Sequence, residues 1–202
     1  HIIKVHNQKL GVWGYLVIDN TILGPGKGGI RMTPSVTEEE VFRLARAMTY
    51  KNAIAGIPFG GAKSGITYDP RSGDKKKKKE IMQWFAQAVK PFVPASYIAG
   101  PDVNTTETEM KWFVEAIKNR KGATGKPKSL GGLPHELGST GFGVAHAARI
   151  ALEHAGIDIN GVRYRQQPDD TTTADDGVNT IRDANGIRFT RIVEAGAPSP
   201  VG

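Results

Sequence analysis

Hydrophobic and polar residues along this chain follow two different periods, and each change of period marks a new element. Val12-Trp13-Gly14-Tyr15-Leu16-Val17-Ile18 is rich in β-formers and predicts a buried strand, with a turn at Asp19-Asn20. Ile30 closes a second, short strand. From residue 37 the period lengthens. Thr37-x-x-Glu40 is a capping-box pattern, and Val41, Leu44, Ala45 and Met48 follow at helical spacing, predicting a helix to about Ala53. Pro58 and Gly60-Gly61 read as chain breaks, and Ser64 to Tyr68 as another strand with Lys63 at its entrance. Asp69 to Gly73 reads as a turn. Ile81, Trp84, Phe85 and Ala88 form one face of a helix that Pro91 and Pro94 stop. Tyr97-Ile98-Ala99 is a short strand with Asp102 at its exit, the end of a strand where ligands gather in α/β sheets. A second capping box, Thr106-x-x-Glu109, opens a helix with Met110, Phe113, Val114 and Ile117 on one side, ended by Gly122 and Gly125. Residues 126 to 138 are loop-like, and Ser139 or Thr140 caps a helix carrying Val144, Ala147, Ala148, Ala151 and Leu152, which Gly156 ends.

Charge changes this picture at one place. Of the formal +7, five charges are the run Lys75 to Lys79, which leaves +2 for the rest of the 202 residues. No aromatics interleave the run, so it reads as a solvated, flexible approach to a helix and no nucleic-acid partner is expected. The chain has no cysteine, which excludes a disulfide framework and thiol chemistry and is consistent with a reducing cytoplasm, the expected location. No apolar run reaches the length of a membrane span and no signal-peptide pattern is present, so no membrane association is expected. The first residue is His1 rather than Met, as in a fragment of a longer polypeptide.

The candidate chemistry lies between residues 24 and 65. Gly24-Pro25-Gly26-Lys27-Gly28-Gly29-Ile30-Arg31 and Gly60-Gly61-Ala62-Lys63-Ser64-Gly65 each set a lysine among glycines, where backbone can approach a ligand closely, and Lys51 projects from the last turn of the helix between them. Three ammonium groups in one pocket attract a dianion and depress one another's pKa, giving a binding site with a chemically usable lysine. Gly56 to Ser64 reads G-x-x-x-x-G-A-K-S, one residue longer than the phosphate loop G-x-x-x-x-G-K-[ST]; the inserted alanine argues against a nucleoside-triphosphate site. His146 and His154 lack carboxylate or cysteine partners at ligand spacing, His135 reads as a loop residue, and Asp169-Asp170 and Asp175-Asp176 read as solvated loop; no metal site is expected.

The motifs G-P-x-K-G-G-I-R, M-T-x-K at Met48 to Lys51, G-G-A-K at 60 to 63 and P-D-V-N-T at 101 to 105, in this order and spacing, resemble the glutamate/leucine/phenylalanine/valine dehydrogenase family over about residues 14 to 162. The lysine at the fourth position of the first motif resembles the glutamate-specific branch, because the branched-chain and aromatic enzymes tend to be apolar there. The resemblance implies an α/β fold, three-layered with helices on both sides of a mixed, mostly parallel sheet, followed by an incomplete Rossmann-like portion. It implies reversible oxidative deamination of glutamate to 2-oxoglutarate and ammonia with NAD or NADP, by a homo-oligomer. Carried over by motif, Lys27 would pair the side-chain carboxylate of the amino acid and Lys51 its α-carboxylate. Lys63 would be the catalytic lysine that activates water or assists the carbinolamine step, and Asp102 would exchange protons with the substrate's amino or imino nitrogen. Gly28, Gly29, Gly60 and Gly61 would shape the pocket, and Thr140 would contact the nicotinamide amide.

Two features depart from the family pattern. Residue 136 is Glu where the family usually has Arg, and residues 163 to 202 contain no G-x-G-x-x-G turn for a dinucleotide pyrophosphate. The expected division is a substrate-binding and oligomerisation domain over 1–128, a hinge loop and helix over 129–162, and a partial or degenerate cofactor-domain segment over 163–202. Two alternatives stay open: a leucine, valine or phenylalanine dehydrogenase, against which Lys27 speaks, and a noncatalytic module that oligomerises and holds dicarboxylates.

Overall fold

The computed structural model describes residues 1–133 and 139–156, together with two isolated pairs of strand residues, 181–182 and 188–189. The chain forms two compact units, His1–Pro134 and His135–Gly202. In the first, a six-stranded mixed sheet is built from β1 (Ile2–Asn7), β2 (Val12–Asn20), β3 (Gly26–Lys27), β4 (Ile30–Met32), β5 (Gly60–Ile66) and β6 (Tyr97–Ile98). The order is β1-β2-β5-β3-β6, with β4 also on β5; β1, β2 and β5 pair antiparallel, and β5, β3, β4 and β6 pair parallel. Helix α1 (Glu38–Ile54) covers one face, and α2 (Lys75–Val89) and α3 (Glu107–Ile117) cover the other, giving the expected three layers.

The strand alternation assigns the faces. Leu16 and Ile18 of β2 join Ile81, Phe85, Phe113 and Ile117 in the larger core, whereas Tyr15 and Val17 pack with Val36, Val41 and Ala45 under α1. On β5, Ala62 and Ile66 face the larger core. The intervening Gly61 and Gly65 face α1, where added Cβ atoms would collide with Thr49 and with Val36 and Val41. Glycines in a strand mark such a close approach, so Gly60-Gly61 begin the central strand rather than breaking the chain, and Lys63 lies in its middle rather than at its entrance. Periodicity cannot register a strand whose helix-facing positions have no side chain.

Other expectations are corrected in the same way. Asp19 and Asn20 complete β2 instead of turning, because the Asp19 carboxylate is needed at the α1 interface, where it accepts from Thr49 Oγ1 at 2.5 Å and pairs with Arg46 at 3.1 Å. The edge strand β1 has no counterpart among the expected elements; its half-buried and exposed positions alternate over only six residues. The lysine run is helical from Lys75 onward. Asp74 caps it by accepting from Lys77 N at 2.8 Å, and Lys78 reaches Glu109 at 2.9 Å, so the run is built into the fold. Helix α3 has the complete capping box at Thr106 and Glu109 and ends on Lys118, itself in the left-handed region at φ 57°, before the glycines are reached. At α1, Thr37 accepts from Glu40 N, but the Glu40 side chain turns away to Arg31, leaving that box half made.

The second unit contains α4 (Ser139–His154) and an antiparallel pair, β7 (Ile181–Arg182) with β8 (Arg188–Phe189). His135 and Glu136 lie outside the described residues, as does most of 163–202. Among the described residues no helix is long and apolar enough to cross a membrane, and no group of three metal-ligating side chains occurs.

Candidate active site

Three strands aim cations at one place. Lys27 on β3, Arg31 on β4 and Lys63 on β5 occupy the positions that alternation turns toward α1, opposite Gly26, Ile30, Met32 and Ala62. Asp102 follows β6, at the carboxyl end of the parallel strands. Its loop hangs on β4. Thr105 Oγ1 donates to Ile30 O at 2.7 Å, Asn104 Nδ2 donates to Met32 O at 3.0 Å, and Asp102 N donates back to Thr105 Oγ1 at 2.9 Å. Asn104 takes the left-handed conformation at φ 60°, which asparagine tolerates better than most residues. The P-D-V-N-T motif is therefore a device for holding one carboxylate still.

That carboxylate is shared between two cations. Asp102 Oδ2 meets Lys63 Nζ, and Oδ1 accepts from Arg31 Nε at 3.0 Å. The Lys63 side chain is only 7% exposed. Arg31 is in turn held by Glu40 of α1. Burial pushes the Lys63 amine below the ordinary lysine value; Asp102 opposes this, while Arg31 and Lys51 add to it. Burial alone would raise the Asp102 carboxyl, but Lys63, the Val103 N–H and Arg31 hold it below the usual carboxylate range. Lys27, partly buried, donates from Nζ to Ala99 O at 3.0 Å, and burial with repulsion from Lys63 and Lys126 lowers it to about 8.

Lys27, Lys63 and Asp102 thus come together, with Lys51 exposed at the end of α1 and near enough to repel Lys63. Gly29 belongs with them, because a Cβ there would lie 2.5 Å from Pro101 O and 2.8 Å from Asp102 Cβ. Gly28, Gly60 and Gly61 instead admit the backbone of β5, the β2–β3 connection and α1 respectively. Tyr97 closes the floor, accepting from Ser64 Oγ at 2.8 Å and donating to Gly28 O at 3.1 Å. Thr140 lies in the first turn of α4, and its side chain is outside the described residues.

Lys63 and Asp102 form one coupled pair, a relation that motif spacing cannot show across 39 residues. Arg31 stands inside G-G-I-R, but its role emerges only when β4 and the Asp102 loop pair. Lys126 has no motif signal at all. Counting Lys27, Arg31, Lys51, Lys63 and Lys126 against Asp102 and Glu40, the site carries a formal excess of three positive charges with every group ionised. Such a site attracts a dianion and holds a proton on the hydrogen bond between Lys63 Nζ and Asp102 Oδ2.

Comparison with known proteins shows what the chain is similar to. The chain is 41% identical over 167 residues to the NADP(+)-dependent glutamate dehydrogenase of Pyrobaculum calidifontis, covering 79% of this chain and 40% of that protein. It is 39% identical over 151 residues to the NADP-specific glutamate dehydrogenase of Saccharolobus shibatae, covering 71% and 36%. It spans about two fifths of the length of these relatives. Among solved structures, the hetero-hexameric glutamate dehydrogenase of Thermus thermophilus in its Leu-bound form superposes with a TM-score of 0.72 at 27% identity, covering 85% of this chain and 44% of that one. Residues 2–119, which hold the strands, α1 and the Lys63–Asp102 pair, match the model of the Glu/Leu/Phe/Val dehydrogenase dimerisation domain, and the chain belongs to that family.

Proposed function

We propose that residues 1–128 form the amino-acid-binding and oligomerisation part of an NAD- or NADP-linked glutamate dehydrogenase acting as a homo-oligomer, in which glutamate and 2-oxoglutarate interconvert with release or uptake of ammonia. The observation that carries this reading is the buried Lys63–Asp102 pair inside an excess of cations. Lys27 takes the distal carboxylate and Lys51 the α-carboxylate, leaving the α-carbon over the pair. Lys63, depressed by burial, passes a proton between its Nζ and an attacking water, and Asp102 exchanges one between Oδ2 and the substrate nitrogen. Arg31 keeps Asp102 in place when Lys63 turns to substrate.

The hydride acceptor is a separate matter. Among the described residues no glycine turn joins a strand to a helix so as to cradle a pyrophosphate, and residues 163–202 spell none, so the described chain fits the amino-acid half of the reaction and not the nicotinamide half. A second reading is a noncatalytic dicarboxylate-binding module, for which the cations around Asp102 would suffice. The two separate on one assay: purified protein with L-glutamate and NAD or NADP, followed by reduced-nicotinamide absorbance. Absorbance that grows with wild type and vanishes in Lys63→Met supports the enzyme. No absorbance, with 2-oxoglutarate still bound, supports the module. Neither turnover nor binding rejects both.

A further inference from the structure

Lys27 has a neighbour, Lys126, that lies outside the sequence motifs described above. Residue 126 lies beyond residues 2–119, the stretch matched by the dimerisation-domain model. Its amine is near enough to repel that of Lys27, and the two lysines are hooked to adjoining backbone. Ala99 and Ala123 are parallel bridge partners, fixed by Ala99 N to Gly122 O at 2.9 Å and Thr124 N to Ala99 O at 3.0 Å. Lys27 Nζ donates to Ala99 O at 3.0 Å, and Lys126 Nζ donates to Ala123 O at 2.8 Å. Gly125, at φ +62° and packed on the Pro101 ring, turns the chain so that Lys126 points back toward that bridge. Gly100 provides the floor: a Cβ built there would lie 2.6 Å from Lys27 Nζ and 3.4 Å from Thr124 Oγ1. Among the described residues neither lysine is in an ion pair, unlike Lys63 and Arg31, which share Asp102. Two mutually repelling ammonium groups and a hydroxyl are thus gathered beside a glycine.

We infer that Lys126 and Thr124 complete the subsite begun by Lys27, so that the distal carboxylate of the substrate is held by two ammonium groups and a hydroxyl, and that Lys126 is the residue that makes the subsite demand a carboxylate. The inference rests on the dicarboxylate reading proposed above. Two cations repel each other until an anion sits between them; a single lysine lacks that penalty and tolerates an amide or an apolar end more readily. A carboxylate, with two oxygens, satisfies both amines at once.

The test is calorimetric titration of the 202-residue chain with 2-oxoglutarate and with 2-oxopentanoate, which has the same carbon count and no distal carboxylate. Lys126→Met is expected to weaken 2-oxoglutarate by roughly tenfold to a hundredfold, the range for one charged hydrogen bond, and to change 2-oxopentanoate by less than about twofold. Lys126→Arg should recover most of the loss. The double variant Lys27→Met/Lys126→Met should lose less than the product of the single losses, since both amines grip one group. Equal weakening of both ligands by Lys126→Met, with folding intact by circular dichroism, overturns the inference, as does no weakening of either. A wild-type chain that binds both ligands alike overturns the dicarboxylate reading itself, a distinct result seen before any variant is made.

Discussion

Replacing Lys27 by Met should make the unliganded protein more stable while emptying its binding site of dicarboxylates. An ammonium held at about 8 rather than 10.5 is disfavoured in the folded state by about 3 kcal/mol, taking about 1.4 kcal/mol for each tenfold change. Met fills a similar volume without the charge. It forfeits the bond to Ala99 O, worth roughly 1.5 kcal/mol, so a net gain of about 1–2 kcal/mol is expected at pH 7. The sign of the pH dependence follows. Between pH 8 and 10.5 the unfolded chain carries the Lys27 proton and the folded chain does not, so wild-type stability rises with pH across that window. Lys63 adds a rise of the same sign in both proteins, and the difference between them isolates Lys27. Urea denaturation followed by tryptophan fluorescence, with Trp112 buried in the core, should show the difference move by about 2–3 kcal/mol in favour of the wild type from pH 7 to pH 10, so that the lead of the variant disappears and reverses. Parallel stability curves, or a variant less stable at pH 7 with 2-oxoglutarate affinity unchanged, would refute the reasoning.

Other perturbations probe the remaining parts. Asp102→Asn leaves Lys63 and Arg31 facing each other without their shared carboxylate, and unfolding free energy should fall by roughly 3–5 kcal/mol, with glutamate-dependent turnover lost where the wild type shows it. Gly61→Ala drives a methyl group into Thr49 and levers α1 off β5; a calorimetric melting temperature lowered in proportion to about 3 kcal/mol is expected, and an unchanged one would mean the helix does not rest on that strand. Glu109→Ala removes both the α3 capping box and the partner of Lys78, for about 2 kcal/mol by urea denaturation, whereas exposed Lys75→Ala should stay within about 0.5 kcal/mol.

Where local chemistry fixes structure, the sequence was readable. The Thr106-Glu109 box and the Met110, Phe113, Val114 and Ile117 stripe of α3 follow from spacing alone, and all four apolar residues are buried. The β2 run and the Lys27, Lys63 and Asp102 motifs were likewise visible. What escaped is what depends on contacts between distant segments. A strand reading Gly60-Gly61-Ala62-Lys63-Ser64-Gly65-Ile66 looks like a loop until α1 lies against its glycines. Glu40 looks like half a capping box until Arg31, nine residues earlier, takes its carboxylate. Arg31 and Asp102 are 71 residues apart, and Lys126 gains meaning only through the Ala99–Ala123 bridge.

The central claim is that cations on β3, β5 and α1, gathered around Asp102, enclose one dicarboxylic molecule. The measurement closest to it is a nitrogen-15 NMR titration of the lysine side-chain amines with 2-oxoglutarate. The account predicts that the Lys27 and Lys63 signals shift together with one saturating curve, Lys27 gaining protonation at pH 8.5, while the solvated Lys75 and Lys76 do not move. Shifts confined to exposed lysines, or separate curves for Lys27 and Lys63, would contradict it.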